Sequence, residues 1–235
     1  MRAKLPPSAS AGGFTLVELA IVVLVVSLLL GSLLVPLNLQ VQQRNSAETR
    51  RILEETREAL IGYAMANGRL PRPAVSDTDG SEKGACADHA ACTGYIPWAV
   101  LGTPRIDAYG KLIRYSVTPA LANAPITISS TGGKRIRTRT PSTTPILADA
   151  VPAVLISHGL YNYGRTADGD NIVNTSTTNV DEQANATNDG QSANPFWSRP
   201  QSATTTAPGG EFDDIVVWVP QSLLVGRMVA AGRLP

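Results

Sequence analysis

The chain has 235 residues, enough for one sizeable domain plus an anchor or for two small domains. Twenty Lys and Arg stand against nineteen Asp and Glu, so neither a strongly basic nucleic-acid surface nor an acidic solvating tail is written into the overall charge. Aromatic residues make up only 5%, and the downstream part is rich in Thr, Asn, Ser, Gly and Pro, which points to a modest core under long irregular loops.

The chain opens with Arg2 and Lys4, the small-residue run "SASAGG", and then "FTLVELAIVVLVVSLLLGSLLVP". No charged side chain occurs over residues 19–43, and the apolar run 19–35 is broken only by Ser27, Gly31 and Ser32. A bilayer core of about 30 Å needs about 20 apolar helical residues, so the run is expected to span a membrane. A cleaved secretory signal fits less well, because its apolar region should run roughly 7 to 15 residues and end at an A-x-A-like site. Here the small residues precede the run instead. Arg2 and Lys4 then predict a single-pass inner-membrane protein with a cytoplasmic N-terminus and a periplasmic C-terminal domain.

Glu18 interrupts the start of this run. A charge at the centre of a spanning helix costs on the order of 2.5 to 3.5 kcal/mol, so it calls for a counter-charge or an interfacial position. A cut after Gly13 would give Phe14 a new α-amine, with Glu18 four residues later on the same helix face. A carboxylate in the first turn also complements the helix dipole. The same charges on neighbouring chains would set the register of packed helices.

Residues 13–18, "GFTLVE", resemble the type IV prepilin signal shared by pilins and the pseudopilins of type II secretion. The resemblance implies a leader over 1–13, cleavage between Gly13 and Phe14, and N-methylation of Phe14. It further implies a transmembrane and filament-core helix over 14–37, with Glu18 neutralising the amine of an adjacent subunit. The implied protein is a non-enzymatic minor pilin or pseudopilin, assembled into a type IV pilus or a type II secretion pseudopilus. Its partners would be a prepilin peptidase/methyltransferase, other pilin or pseudopilin subunits and the inner membrane. Once in a filament it would be periplasmic or extracellular.

The helix is expected to continue, amphipathic, over 38–67. Ile52, Ala59, Leu60 and Tyr63 share one face, and Arg50, Arg51, Glu54, Glu55, Arg57 and Glu58 populate the rest. Pro36 should kink or loosen it, and Gly68 with Pro71 should stop it. Helical from 14 to 67, it would be about 80 Å long.

Residues 68–235 read as a β-rich globular domain. "KLIRYSVTP", "APITISS", "AVLISHG" and "FDDIVVWVP" are β-like runs bounded by Pro, Gly or Asn. Strands without intervening helices favour an antiparallel sheet. The expected fold is α+β and pilin-like, a long N-terminal helix packed on a small antiparallel β-sheet. Residues 166–210 read as a long surface loop and "QSLLVGRMVAAGRL" as a closing helix. "DAYGKLIRY", residues 107–115, resembles the "DPWGNP" turn and strand of major pseudopilins, departing from it at Ala108, Tyr109 and Lys111. "GRLPRP" and "GYIPWAVLG" resemble segments after the helix in large pilin-like proteins.

Chemistry is sparse. Cys86 and Cys92 in "CADHAAC" read as a local disulfide in an oxidising compartment and as free thiols otherwise, with no second pair to complete a zinc site. His89 and His158 stand outside any nucleophile elbow, phosphate loop or metalloprotease motif, so no enzyme is expected. Of the acidic turns, Asp213 and Asp214 are the calcium candidates that the resemblance suggests, against the plainer reading of solvated carboxylates. No other cofactor is expected. In "GGKRIRTRT", Arg135, Arg137 and Arg139 would share one strand face, suited to DNA phosphates or an acidic partner, or to a solvated edge strand. The alternative function is thus a filament-displayed binding module for DNA or a surface ligand.

Overall fold

The computed structural model describes Gly13 and residues 15–235, with backbone alone at 30–38. In chain order the elements are α1 (Leu16–Asn67), β1 (Thr93–Tyr95), α2 (Trp98–Leu101), β2 (Arg114–Val117), α3 (Pro119–Asn123), β3 (Lys134–Arg137), β4 (Ile146–Val151), β5 (Ala153–Ser157), α4 (Val180–Thr187), β6 (Phe196–Trp197), β7 (Ile215–Val219) and α5 (Gln221–Ala230). The chain divides into two compact units, residues 1–44 and 45–235.

The first unit contains the start of α1. Thr15 caps it, its Oγ1 accepting the amide of Glu18 at 3.2 Å, which satisfies one of the helix's orphan donors. Beyond the cap the large apolar side chains over 16–29 are all exposed, from Leu16 at 85% down to Val26 at 45%. Among the described residues, no helix is long and apolar enough to cross a membrane. The expected single-pass inner-membrane placement, with a cytoplasmic N-terminus and a periplasmic domain, is therefore corrected. Where its side chains are described, over 16–29, the helix offers about 21 Å of apolar length at 1.5 Å per residue, against the roughly 30 Å of a bilayer core.

In the second unit α1 is amphipathic. Ile52, Leu53, Leu60, Ile61 and Ala64 are buried, while Arg51 pairs with Glu48 and Glu55 on the outer face. Thr49, also buried, accepts the amide of Ala108 at 3.2 Å and ties the helix to the "DAYGK" turn. The helix stops at Gly68, whose φ of 74° and amide bond to the Ala64 carbonyl at 2.8 Å make a left-handed C-cap.

The main sheet has the order β1-β2-β5-β7 and is antiparallel throughout. One face, carrying Tyr115, Val117, Leu155, Val217 and Val219, packs in the same core as α1 and as Leu224 and Met228 of α5. The other face, carrying Val154, Ile156 and Val216, packs with Ile136, Val151 and Phe196 of a second sheet of order β4-β3-β6. In that sheet β3 pairs antiparallel with β4 and parallel with β6. The fold is α+β, and β5 is buried on both faces.

Two differences from the sequence reading have local causes. "APITISS" forms no strand, because the Ile126 amide bonds to the Gly68 carbonyl at 2.7 Å and Thr127 turns onto Ser130 at 2.9 Å. The span 166–210, expected as a surface loop, carries α4 and β6. The buried face of α4 is polar, built from Asp181, Glu182 and Asn185, so no apolar periodicity announces it. Cys86 and Cys92 form a disulfide, and Asn123 donates to the Cys86 carbonyl at 2.7 Å.

Candidate functional site

Of the processing residues, Gly13 is exposed and Phe14 lies outside the described residues, as does the leader over 1–12. Glu18 is exposed in the first turn of α1. Thr15 and Glu18 stand in the Ser/Thr-x-x-Glu spacing of a capping box, a signal the sequence carries beside the ion-pair reading.

The second unit holds a buried polar cluster at the end of β5. The loop after Ser157 turns through four left-handed residues, Gly159, Asn162, Tyr163 and Gly164. At Gly159 an added Cβ would fall 2.5 Å from Cγ of Asp213, so only glycine fits. The loop wraps the ammonium of Lys111, which donates to the carbonyls of His158 (2.9 Å), Tyr161 (2.5 Å) and Asn162 (2.8 Å). Lys111 is itself held by the turn before it, its amide donating to Oδ1 of Asp107 at 2.9 Å. Oδ2 of Asp107 takes the Ser157 hydroxyl at 2.5 Å.

Three carboxylates converge beside this loop. Oxygens of Glu182, Asp213 and Asp214 lie within 4.8 Å of one another. Oδ2 of Asp213 accepts the amides of Leu160 (2.8 Å) and Tyr161 (2.9 Å), while its Oδ1 is buried with no partner. Oε1 of Glu182 accepts the Asp213 amide at 2.8 Å, and its Oε2 accepts Asn179 at 2.7 Å. Asp214 accepts Asn185 at 2.8 Å and faces Nδ1 of His158 at 3.4 Å.

Burial pushes Asp213 up to about 7; the Tyr161 amide works against the rise, and Glu182 and Asp214 add to it. Burial also pushes Lys111 down, and Asp213 and Asp107 oppose that. Calcium takes six to eight oxygens. The cluster offers three carboxylates within reach of one another, and the carbonyls of the adjoining loop are taken by Lys111, which leaves it short of a calcium shell among the described residues. It fits a proton held among the carboxylates, with the lysine as the built-in cation.

The basic segment is largely engaged. Arg135 pairs with Asp149 at 2.6 Å. Arg137 donates to the Thr144 hydroxyl at 3.2 Å. Arg139 pairs with Asp181 at 2.7 Å and lies 4.3 Å above the Trp197 ring. His89 and His158 are 69 residues apart in sequence: Nδ1 of His158 faces Asp214, and Nδ1 of His89 is buried without a partner.

Sequence reasoning singled out Asp213 and Asp214 but missed Glu182 and Lys111. Lys111 had a signal, its departure from the "DPWGNP" pattern. Glu182 had none, lying in a stretch poor in large apolar residues. No family model, curated protein or solved structure matches this chain.

Proposed function

We propose that the chain is a structural subunit of a pilin-like filament, a minor pilin or pseudopilin of a type IV pilus or a type II secretion pseudopilus. The observation that carries this reading is the capped start of α1, which presents large apolar side chains to solvent over 16–29 with Glu18 as their single charge. Fully burying a Leu, Val or Ile contributes about 1.5 to 3 kcal/mol, so covering half a dozen of them is worth on the order of 10 kcal/mol. Copies of the same helix supply that cover. Cleavage after Gly13 by a prepilin peptidase gives Phe14 a charged amine, and Glu18 of a neighbouring subunit neutralises it and fixes the register.

The globular unit is then cargo displayed along the filament. Display of a DNA-binding strand is the weaker reading, since Arg135 and Arg139 already hold Asp149 and Asp181.

Expression in a host with a prepilin peptidase, followed by intact mass and N-terminal sequencing, tests the processing step. The mature chain should begin at N-methyl-Phe14, and Glu18→Val should be cleaved normally yet be lost from filaments. Chains that all retain Met1, or a variant incorporated like the wild type, would overturn the proposal.

A further inference from the structure

A cavity of about 260 Å³ opens beside the buried cluster. Tyr95 of β1 and Arg114 of β2, cross-strand partners in the main sheet, form one wall. Tyr163, His158 and Arg165 form the second, and Ile172 with Ala186 and Thr187 at the end of α4 closes it.

The charges are unequal. Arg165 is neutralised, since it pairs with Asp77 and donates to Asn171 at 2.8 Å. Arg114 makes no direct ion pair among the described residues, and burial pushes it down, with Tyr95, Asp214 and Asp189 acting on it in the opposite direction. One nitrogen, Nη2, donates to the Asn188 carbonyl at 2.8 Å, and its Nε is buried with no partner at all. A buried donor left unsatisfied costs about 1 to 3 kcal/mol, and more when charged.

The loop that carries Tyr163 is also strained. Asn162 and Tyr163 are consecutive non-glycine residues with φ of 32° and 46°. Such backbone costs of order 1 to 3 kcal/mol per residue and persists only where its surroundings impose it, which they do most often at ligand sites. Here the Lys111 ammonium imposes it, through the three carbonyls preceding Tyr163. The buried lysine thus holds an aromatic ring at the rim of a cavity whose other side bears an unpaired guanidinium.

We propose that this cavity is a binding site for a small organic monocarboxylate with a ring-shaped body, its carboxylate received by Arg114. A guanidinium fork matches a carboxylate in geometry and charge. With Arg165 paired and the carboxylates of Asp214 and Asp189 already acting on Arg114, the site takes at most one further negative charge, which favours a monocarboxylate over a phosphate dianion. Tyr95, Tyr163 and Ile172 supply apolar surface for the ring. The volume lies just under the roughly 300 to 1,000 Å³ of drug-sized pockets, which sets the ligand at about one ring.

Isothermal titration of the full chain at constant ionic strength, with sodium benzoate, sodium acetate, inorganic phosphate and neutral benzyl alcohol as probes, tests this site. Benzoate should bind saturably at one site, more tightly than acetate or phosphate, and benzyl alcohol should give no saturable heat. Arg114→Gln should weaken benzoate by about tenfold or more, the loss of a charge-assisted pair. Should Arg114→Gln fail to fold, Thr187→Trp, at an exposed rim position that leaves the arginine in place, should block the same binding. The proposal falls if benzoate gives no saturable heat, if phosphate or benzyl alcohol binds as tightly, or if benzoate binds the folded variants unchanged.

Discussion

Asp213 carries an acid where the fold supplies too few donors for it. Two loop amides satisfy one oxygen, and the other is buried beside Glu182 and Asp214. Its folded pKa of about 7 lies above the ordinary 3.8. The folded state therefore holds a proton that the unfolded chain has lost between those values, and the stability this confers is lost as pH rises through 7. Asp213→Asn keeps an acceptor for both amides and removes the charge. It should raise the urea midpoint at pH 8 and leave it unchanged near pH 4; a lower midpoint at pH 8 would show that the carboxylate is needed ionised. Asp213 was legible in the sequence as part of an acidic turn, but its environment was not. Glu182 lies 31 residues and Lys111 lies 102 residues away along the chain, and only the tertiary fold, which sets α4 and the turn before β2 beside the start of β7, brings them together.

At the scale of elements, the segment after β5 is a loop built around one side chain. Lys111→Met would leave the carbonyls of His158, Tyr161 and Asn162 without their shared donor. Unsatisfied buried groups cost about 1 to 3 kcal/mol each, so a loss on the order of 3 kcal/mol is expected. Amide hydrogen exchange should quicken over 160–164 and stay unchanged in β5 and β7, and unchanged exchange in the loop would remove the lysine from its proposed role. Strands β2, β5 and β7 and helix α5 were legible because apolar runs bounded by Pro and Gly announced them. Helix α4 was not, since the side it buries is Asp181, Glu182 and Asn185, satisfied by Arg139, Arg199 and backbone rather than by apolar packing. The strand β3 was legible only as a basic strand within "GGKRIRTRT", without its buried side, since Lys134 is wholly buried with burial pushing it down to about 7; β4 escaped because Ile146 and Leu147 are exposed.

At the scale of the whole molecule, the sequence made an α+β domain with an antiparallel sheet legible, together with a helix running through 67. The three layers of helix, sheet and second sheet were not, because the second sheet is completed by a two-residue parallel strand within a polar stretch. The membrane placement read from the apolar run does not stand, and what the run retains is its exposed apolar surface. That surface bears the central claim, that copies of this chain cover one another. Sedimentation velocity of the chain beginning at Phe14, in detergent-free buffer over a wide concentration range, tests it most directly. The account predicts large, concentration-dependent assemblies that Leu24→Asp disperses. A single monomeric species at every concentration would contradict it.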